Sequence, residues 1–150
     1  MALKIASFLA LVLTALALAP GGAHFFALPN KIHLAQQSYF IVQGIYRGWA
    51  LLGVVLIGAL FANFVLMILS RGRGAPFWFA LASFVLVGAT LAIFFTWTYP
   101  ANQATSNWTV APDNWAALRV QWEYSHALNA ALTFVALCAV TLSVLTRERT

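Results

Sequence analysis

Residues 49–69, WALLGVVLIGALFANFVLMIL, decide the fold class, because they form an apolar run without a charged side chain. About 20 apolar residues cross the hydrocarbon core of a bilayer as a helix. Three similar stretches occur: Ile5 to Leu28, Phe77 to Thr98, and one that begins near His126 or earlier and ends at Leu145. The sequence therefore predicts an integral membrane protein with four spanning helices.

The overall composition points the same way. The chain is 63% hydrophobic and 7% charged, whereas roughly 25% of the residues in an average soluble domain are charged. The net charge of +5 comes from lysines and arginines scattered singly, so we expect the lipid bilayer as a partner and no nucleic acid. The single cysteine, Cys138, lies within an apolar run and excludes an intrachain disulfide.

We predict one all-α domain, an up-down antiparallel four-helix bundle over residues 1–150, with spans at about 5–28, 44–70, 76–98 and 114–146. Gly and Pro in residues 71–76 indicate a tight turn between helices two and three. Leu34 to Gly48 and Asp113 to Ser125 look helical and run into the following span without a breaker. Helices two and four are thus expected to extend beyond the membrane on the non-cytoplasmic side, with Asp113 or Asn114 as the N-cap of helix four.

The first stretch has two interpretations. Lys4, an apolar core and Ala17-Leu18-Ala19 are typical of a cleaved secretory signal. The apolar character resumes after Pro20-Gly21-Gly22, which favours a retained span with a kink at Pro20. Whether residues 1–23 are a cleaved signal or part of the first span stays open at this point.

Basic residues predict the orientation. Five of them would lie on one side of the membrane and three on the other; the first group is Lys4, Arg71, Arg73, Arg147 and Arg149, and the second is Lys31, Arg47 and Arg119. Because lysine and arginine are enriched in cytoplasmic loops, we expect both termini in the cytoplasm and a location in the cell inner membrane.

Polar and aromatic residues are concentrated at the non-cytoplasmic ends of the predicted helices. His24 and His126 each lie 19 residues from a cytoplasmic helix end, or about 29 Å of helix, and residues 96–99 reach the same depth. An interfacial aromatic belt explains Trp49, Trp97 and Tyr99. It does not explain helix four, where Trp115, Arg119, Trp122 and His126 form one stripe with Glu123 beside it.

Ionisable residues at membrane depth face the bundle interior and indicate a functional site. The structural alternative is an Arg119–Glu123 helix pair with a hydrogen-bonded His126. A second stripe, formed by Tyr39, Gln43, Tyr46 and Arg47, can face the first and enclose a pocket. The polar loop 99–109, which includes Tyr99, Asn102, Asn107 and Trp108, is expected to cap it. The histidines have no recognised metal-ligand spacing, so we predict no cofactor; a haem or metal ion stays an alternative, with His24 and His126 as its ligands.

Five short motifs resemble the anthrone oxygenase-like family of four-helix membrane proteins, whose bacterial branch is a domain of unknown function. They are Tyr-Pro-Ala-Asn-Gln-Ala-Thr from Tyr99, Asn-Trp-Thr from Asn107, Pro-Asp-Asn-Trp-x-x-Leu-Arg-x-x-Trp-Glu-Tyr-Ser-His-Ala from Pro112, Leu-Pro-Asn-Lys-Ile around Asn30, and Tyr-Arg-Gly-Trp from Tyr46. The resemblance implies oxidation of an anthrone to a quinone, which begins with loss of an acidic benzylic proton. The resulting anion is electron-rich and can react with oxygen without a metal.

Such chemistry needs a general base, for which His126 or Glu123 is the candidate, with Arg119 close by. Donors or cations at the developing oxyanion would be Arg119, Arg47, Tyr46 or the indole N–H groups. The predicted function is therefore oxygenase-like oxidation of a small lipophilic aromatic compound of anthrone or hydroquinone type at the outer interface. The alternatives are a non-enzymatic protein that binds a lipid or quinone-like ligand, and a subunit or homo-oligomer that packs through a Gly44/Gly48 helix face.

Overall fold

The computed structural model describes residues 1–146, which fold into six helices: α1 Ala2–Lys31, α2 Gln36–Gln43, α3 Gly53–Leu69, α4 Ala75–Ile93, α5 Tyr99–Ala104 and α6 Trp115–Leu145. Two 3-10 turns, Gly44–Tyr46 and Trp49–Leu52, connect α2 to α3. A π-helical turn, Phe94–Thr98, joins α4 to α5. Arg147 and Arg149, which belong to the predicted cytoplasmic cations, lie outside the described residues.

Four helical stretches are long and apolar enough to cross a membrane, namely Ala2–Lys31, Trp49–Leu69, Ala75–Ala104 and Trp115–Leu145. This confirms the prediction of an all-α protein with four membrane-length helices, and it supports a multi-pass membrane protein. The fourth stretch matches its predicted bounds to within one residue at each end. The first and third are longer than predicted, because α1 continues through Pro20 and Pro29 and the third continues past Thr98.

Small side chains hold the spanning helices together. Helices α1 and α4 each pack against both α3 and α6. Ala6, Ala10, Ala62 and Ala80 lie in the buried contact region together with larger residues such as Leu66. Within a bilayer, small residues let helix backbones approach closely, which increases their van der Waals contact.

One buried polar network links three of these helices. Asn63 on α3 donates from Nδ2 to Thr14 Oγ1 of α1 at 2.9 Å and to Ala59 O at 2.8 Å. Its Oδ1 accepts from Ser83 Oγ of α4 at 2.7 Å. All partners come from protein, as a polar group inside hydrocarbon requires. Residues 6–14 of α1 therefore contribute directly to the packed bundle described here.

The prediction of a second helix that runs unbroken from the outer segment into the membrane is wrong. The α-helix ends at Gln43, and Gly48 has φ 86°, a left-handed conformation that breaks the helical path before Trp49 and that glycine adopts without the penalty of a Cβ atom. The chain turns between Tyr46 and Trp49, and the membrane-length helix begins at Trp49. Gly44 and Gly48 therefore do not share a helical face of the small-xxx-small type.

The predicted loop after the third span is also partly wrong, because residues 99–104 are helical and extend that span. The following residues Ser106, Asn107 and Trp108 have φ of 48°, 56° and 63°. Three consecutive left-handed residues other than glycine are costly, at about 1–2 kcal/mol each. They turn the chain so that Trp108 is buried. Asn114 is the N-cap residue of α6, as predicted, although its side chain makes no capping hydrogen bond.

Candidate functional site

A large cavity lies beside the N-terminal end of α3, at the end of the bundle where polar and aromatic residues were predicted to gather. Its volume is about 1350 Å³, and ligand sites in proteins are typically about 300–1,000 Å³. Its walls come from α1, α2, α3, α6 and the 90–109 region. The residues that line it include His24, Gln43, Tyr46, Arg47, Trp49, Ile57, Phe95, Asn102, Asn107, Trp108, Trp122, His126 and Asn129.

Two histidines stand together on the cavity wall. The rings of His24 and His126 are stacked, with centroids 4.1 Å apart and planes at 24°. His24 is 5% exposed, and its Nδ1 has no hydrogen-bond partner among residues 1–146. A neutral imidazole has one donor and one acceptor nitrogen, so this histidine pair offers hydrogen-bonding and proton-accepting groups inside an apolar enclosure.

Aromatic rings surround the histidine pair. The His24 ring lies 4.2 Å from Tyr46, 4.9 Å from Trp122 and 5.6 Å from Trp49, measured between centroids. The Trp122 ring is also edge-on to His126 at 4.2 Å. The rings are thus in direct contact with the histidines, and the flat walls suit a flat apolar ligand.

Asn102 fixes two of the tryptophans. Its Oδ1 accepts from Trp122 Nε1 at 2.8 Å and from Trp108 Nε1 at 3.1 Å. Buried indole N–H groups need such partners, and the double acceptance determines which end of the amide is oxygen. The helical turn of α5, which the sequence did not predict, brings Asn102 to this position.

A buried ion pair lies directly behind the cavity wall. Lys31 Nζ is 3.0 Å from Glu123 Oε1, and the two residues are 3% and 1% exposed. Tyr39 donates to the same Oε1 at 2.9 Å, and Gln43 Nε2 donates to the Tyr39 hydroxyl. These four residues are called the ion-pair cluster below. The Lys31 ammonium also lies over the rings of Tyr46 and Trp122, at 4.6 and 5.1 Å.

Burial, followed by the Glu123 charge and its hydrogen bond, raises the pKa of Tyr39 far above its ordinary value. A phenol in such surroundings keeps its proton and acts as a donor. The cluster thus has a defined direction, in which Gln43 donates to Tyr39 and Tyr39 donates to Glu123.

The Arg119–Glu123 helix pair, which was the structural alternative for this stripe, does not form. Arg119 Nη1 donates instead to the Leu34 carbonyl at 2.7 Å, and its guanidinium lies 4.7 Å from the Trp115 ring and 5.5 Å from the Tyr39 ring. The partner of Glu123 is Lys31, which the charge count had only placed with Arg47 and Arg119 on the non-cytoplasmic side. Sequence spacing favoured the neighbour one turn away, whereas the fold supplies a cation from α1.

The predicted site residues divide into three groups. Those that line the cavity are His24, His126, Trp122, Tyr46, Arg47, Gln43, Asn102, Asn107 and Trp108. Tyr39, Glu123, Arg119 and Trp115 lie behind the wall, where they support it. Asn30 and Tyr99 are exposed and line no part of it. Tyr99 instead contacts the rings of Phe94 and Phe95.

Sequence reasoning missed three contributors. Lys31 lies three residues after Leu28, the end of the first apolar stretch, and an ionisable residue beside a membrane span was the available signal. Trp49 was assigned to an interfacial belt, yet it packs on His24. Asn129 lies one turn beyond His126 on the same helix, and its buried Oδ1 has no partner within the described residues.

The histidine pair, as it is arranged, does not present a metal site. The lone pair of an imidazole nitrogen lies in the plane of its ring, so two stacked rings do not direct these lone pairs at one ion. Within residues 1–146, no group of three or more His, Cys, Asp or Glu side chains converges in a way that could hold a metal.

Comparison of the chain with protein-family models, with curated proteins and with solved structures gives no significant match. The resemblance to the anthrone oxygenase-like family therefore stays a prediction from the quoted motifs.

Proposed function

We propose that this protein binds a small, flat, lipophilic aromatic compound in the cavity and promotes its oxidation by molecular oxygen, with His126 as the general base. The observation that carries the proposal is the histidine pair, which stands in an aromatic cavity of about 1350 Å³ at one end of a membrane bundle. Apolar walls with a few convergent polar groups are typical of small-molecule sites.

The position of the cavity supports a ligand that arrives from lipid. Ile57 of α3 and Phe95 of the π-helical turn line it and are both exposed on the outside of the bundle. These two side chains are apolar, which suits entry of a lipophilic compound from the bilayer at this part of the cavity.

We also propose an up-down bundle whose cavity end faces away from the cytoplasm. Ser143 near the end of α6 bonds to Pro76 at the start of α4, and Ser125 pairs with Thr98, which fits opposite helix directions. Lys4, Arg71 and Arg73 would then be cytoplasmic. Because Lys31 is neutralised by Glu123, it weighs little against this orientation.

His126 is a better candidate base than Glu123. His126 lines the cavity, whereas the Glu123 carboxylate is turned toward Lys31 and Tyr39 behind the wall. In the proposed reaction His126 accepts a proton from an activated C–H group, and the carbanion gives an electron pair to O2. Protonation of the resulting peroxide anion gives a hydroperoxide, and loss of water from it leaves a carbonyl, so that one O2 is consumed and one water forms per CH2 oxidised.

The test is oxygen uptake and quinone formation from anthrone by the detergent-purified protein. We expect turnover above the uncatalysed rate, and His126→Gln to lower it by about 10²–10⁴-fold, which is the usual contribution of a general base. His33→Gln, a change of the same kind at an exposed position outside the cavity, is the matched control. Turnover equal to the buffer rate, or an active His126→Gln protein, would refute the proposal.

A further inference from the structure

The cavity continues past the histidine pair toward the middle of the bundle. Ala17 lines it and precedes His24 by seven residues on α1, and Thr133 lines it and follows His126 by seven residues on α6. At 1.5 Å per residue, both therefore lie about 10 Å deeper than the histidines. This region is called the deep part of the cavity, and it is lined by residues from all four membrane-length helices, namely Ala17, Leu56, Thr90, Leu91 and Thr133.

The deep part of the cavity suits a hydrocarbon group. Thr90 and Thr133 each donate from Oγ1 to a carbonyl oxygen of their own helix, at 2.7 Å. Because a hydroxyl has one proton to give, neither threonine needs a ligand as its acceptor. The other lining residues are apolar, and Ala17, Leu56 and Leu91 are each partly exposed, so a bound group can reach their surface.

A closely packed cluster forms the floor of the deep part. Ala59, Val87 and Ala136 are fully buried in this cluster, and Ala17 and Leu56 pack against it. Protein interiors packed in this way leave few voids larger than a water molecule. A group that extends from the histidine pair into the deep part therefore has about 10 Å of length available along the helices.

We propose that the ligand carries an apolar tail on its aromatic ring, and that the deep part of the cavity binds this tail while the ring lies against the histidine pair. This inference rests on the proposed function for the position of the ring, and it adds the chemical class of the ligand. The cavity of about 1350 Å³ exceeds the roughly 300–1,000 Å³ of ordinary ligand sites, so a flat ring alone would leave the deep part empty. A tail supplies the van der Waals contacts that an empty space forfeits.

The experiment measures binding without turnover, by quenching of tryptophan fluorescence in the detergent-purified protein. The probes are dimethylnaphthoquinone and its homologue in which a decyl chain replaces one methyl group. We expect Ala17→Leu, which fills the deep part, to weaken the decyl compound by about tenfold through overpacking and to leave the dimethyl compound within about twofold. Each affinity is compared with that of the native protein in the same detergent, so partition into micelles cancels. Ala15→Leu, at an exposed position of α1 that does not line the cavity, is the matched control and should leave both affinities unchanged.

A second measurement uses the native protein and does not depend on Ala17→Leu being folded. The decyl compound is made with a photoreactive diazirine at the end of its tail, and the labelled residues are identified by mass spectrometry. We expect labels on the deep part or its floor, and we expect an excess of the dimethyl compound to reduce them.

Labels confined to α2 or to the lipid-facing surface, labels that the excess does not reduce, or equal effects of Ala17→Leu on both quinones would overturn the inference. Because no oxidation is measured, tail-dependent binding without anthrone turnover refutes only the proposed reaction. Anthrone turnover without any effect of the tail refutes only the role of the deep part.

Discussion

Replacing Lys31 by methionine removes an ammonium group 3.0 Å from Glu123 Oε1 while keeping a long unbranched side chain in its place. Glu123 is 1% exposed, so its carboxylate cannot be rehydrated and keeps only the hydrogen bond from Tyr39. Removing one partner of a buried ion pair typically costs about 3–5 kcal/mol. That is a large part of a total folding stability of about 5–15 kcal/mol. We therefore expect Lys31→Met to lower the free energy of unfolding markedly.

The double variant Lys31→Met/Glu123→Gln separates the ion pair from its surroundings. Glutamine can still accept from Tyr39, and no uncompensated charge remains. Replacing both members of a buried pair is often nearly neutral. We therefore expect the free energy of unfolding of the double variant to be about 2 kcal/mol or more higher than that of Lys31→Met alone. A positive coupling of that size is typical of residues in direct contact.

The assay is unfolding of the detergent-solubilised protein by sodium dodecyl sulfate, followed by circular dichroism. Lys4→Met, at an exposed position on the same helix, is the control and should unfold as the native protein does. The reasoning would be contradicted if the stability lost in the double variant equalled the sum of the losses caused by Lys31→Met and by Glu123→Gln alone. So would a Lys31→Met protein within 1 kcal/mol of native, because the pair would then be solvated.

Three further predictions use the same unfolding assay. Above pH 10 the unfolded chain loses the Tyr39 proton, which the folded protein retains because of its raised pKa. The native stability should therefore fall there by about 1.4 kcal/mol per pH unit more than that of Tyr39→Phe, with Tyr124→Phe, at an exposed tyrosine, as the control. Asn102→Leu leaves two indole N–H groups unpaired and should cost about 1–3 kcal/mol; an unchanged transition would mean that water replaces the amide. Asn63→Leu breaks the network joining α1, α3 and α4 and should cost about 1 kcal/mol, in line with polar contacts in membrane bundles; a gain in stability would contradict this.

The four spans were predictable because the requirement behind them is local. A helix that crosses lipid satisfies its own backbone and needs only apolar length, and residues 49–69 show that length directly. The turn at Gly48 was not predictable in the same way, since an isolated glycine is tolerated inside a helix. Its φ of 86° is a left-handed conformation that no pattern in the sequence indicated.

The site was predicted in part for a similar reason. Trp122 and His126 lie on the same side of α6 because of helical periodicity, and both line the cavity as expected. The cation that pairs with Glu123 depends on how α1 is placed against α6. That placement comes from close packing of small residues along many turns, so the sequence favoured Arg119, one turn away, over Lys31.

The cavity itself follows from unequal helix lengths. The membrane-length helix that begins at Trp49 has 21 residues, whereas the other three have 30, 30 and 31. At 1.5 Å per residue, the second is shorter by about 14 Å. Because the chain turns at Gly48 instead of continuing upward, the space beside the ends of α1 and α6 holds α2, the ion-pair cluster and the cavity, rather than another two turns of helix. The same turn that ends the second span thus leaves room for the cavity beside His24 and His126, both of which line it.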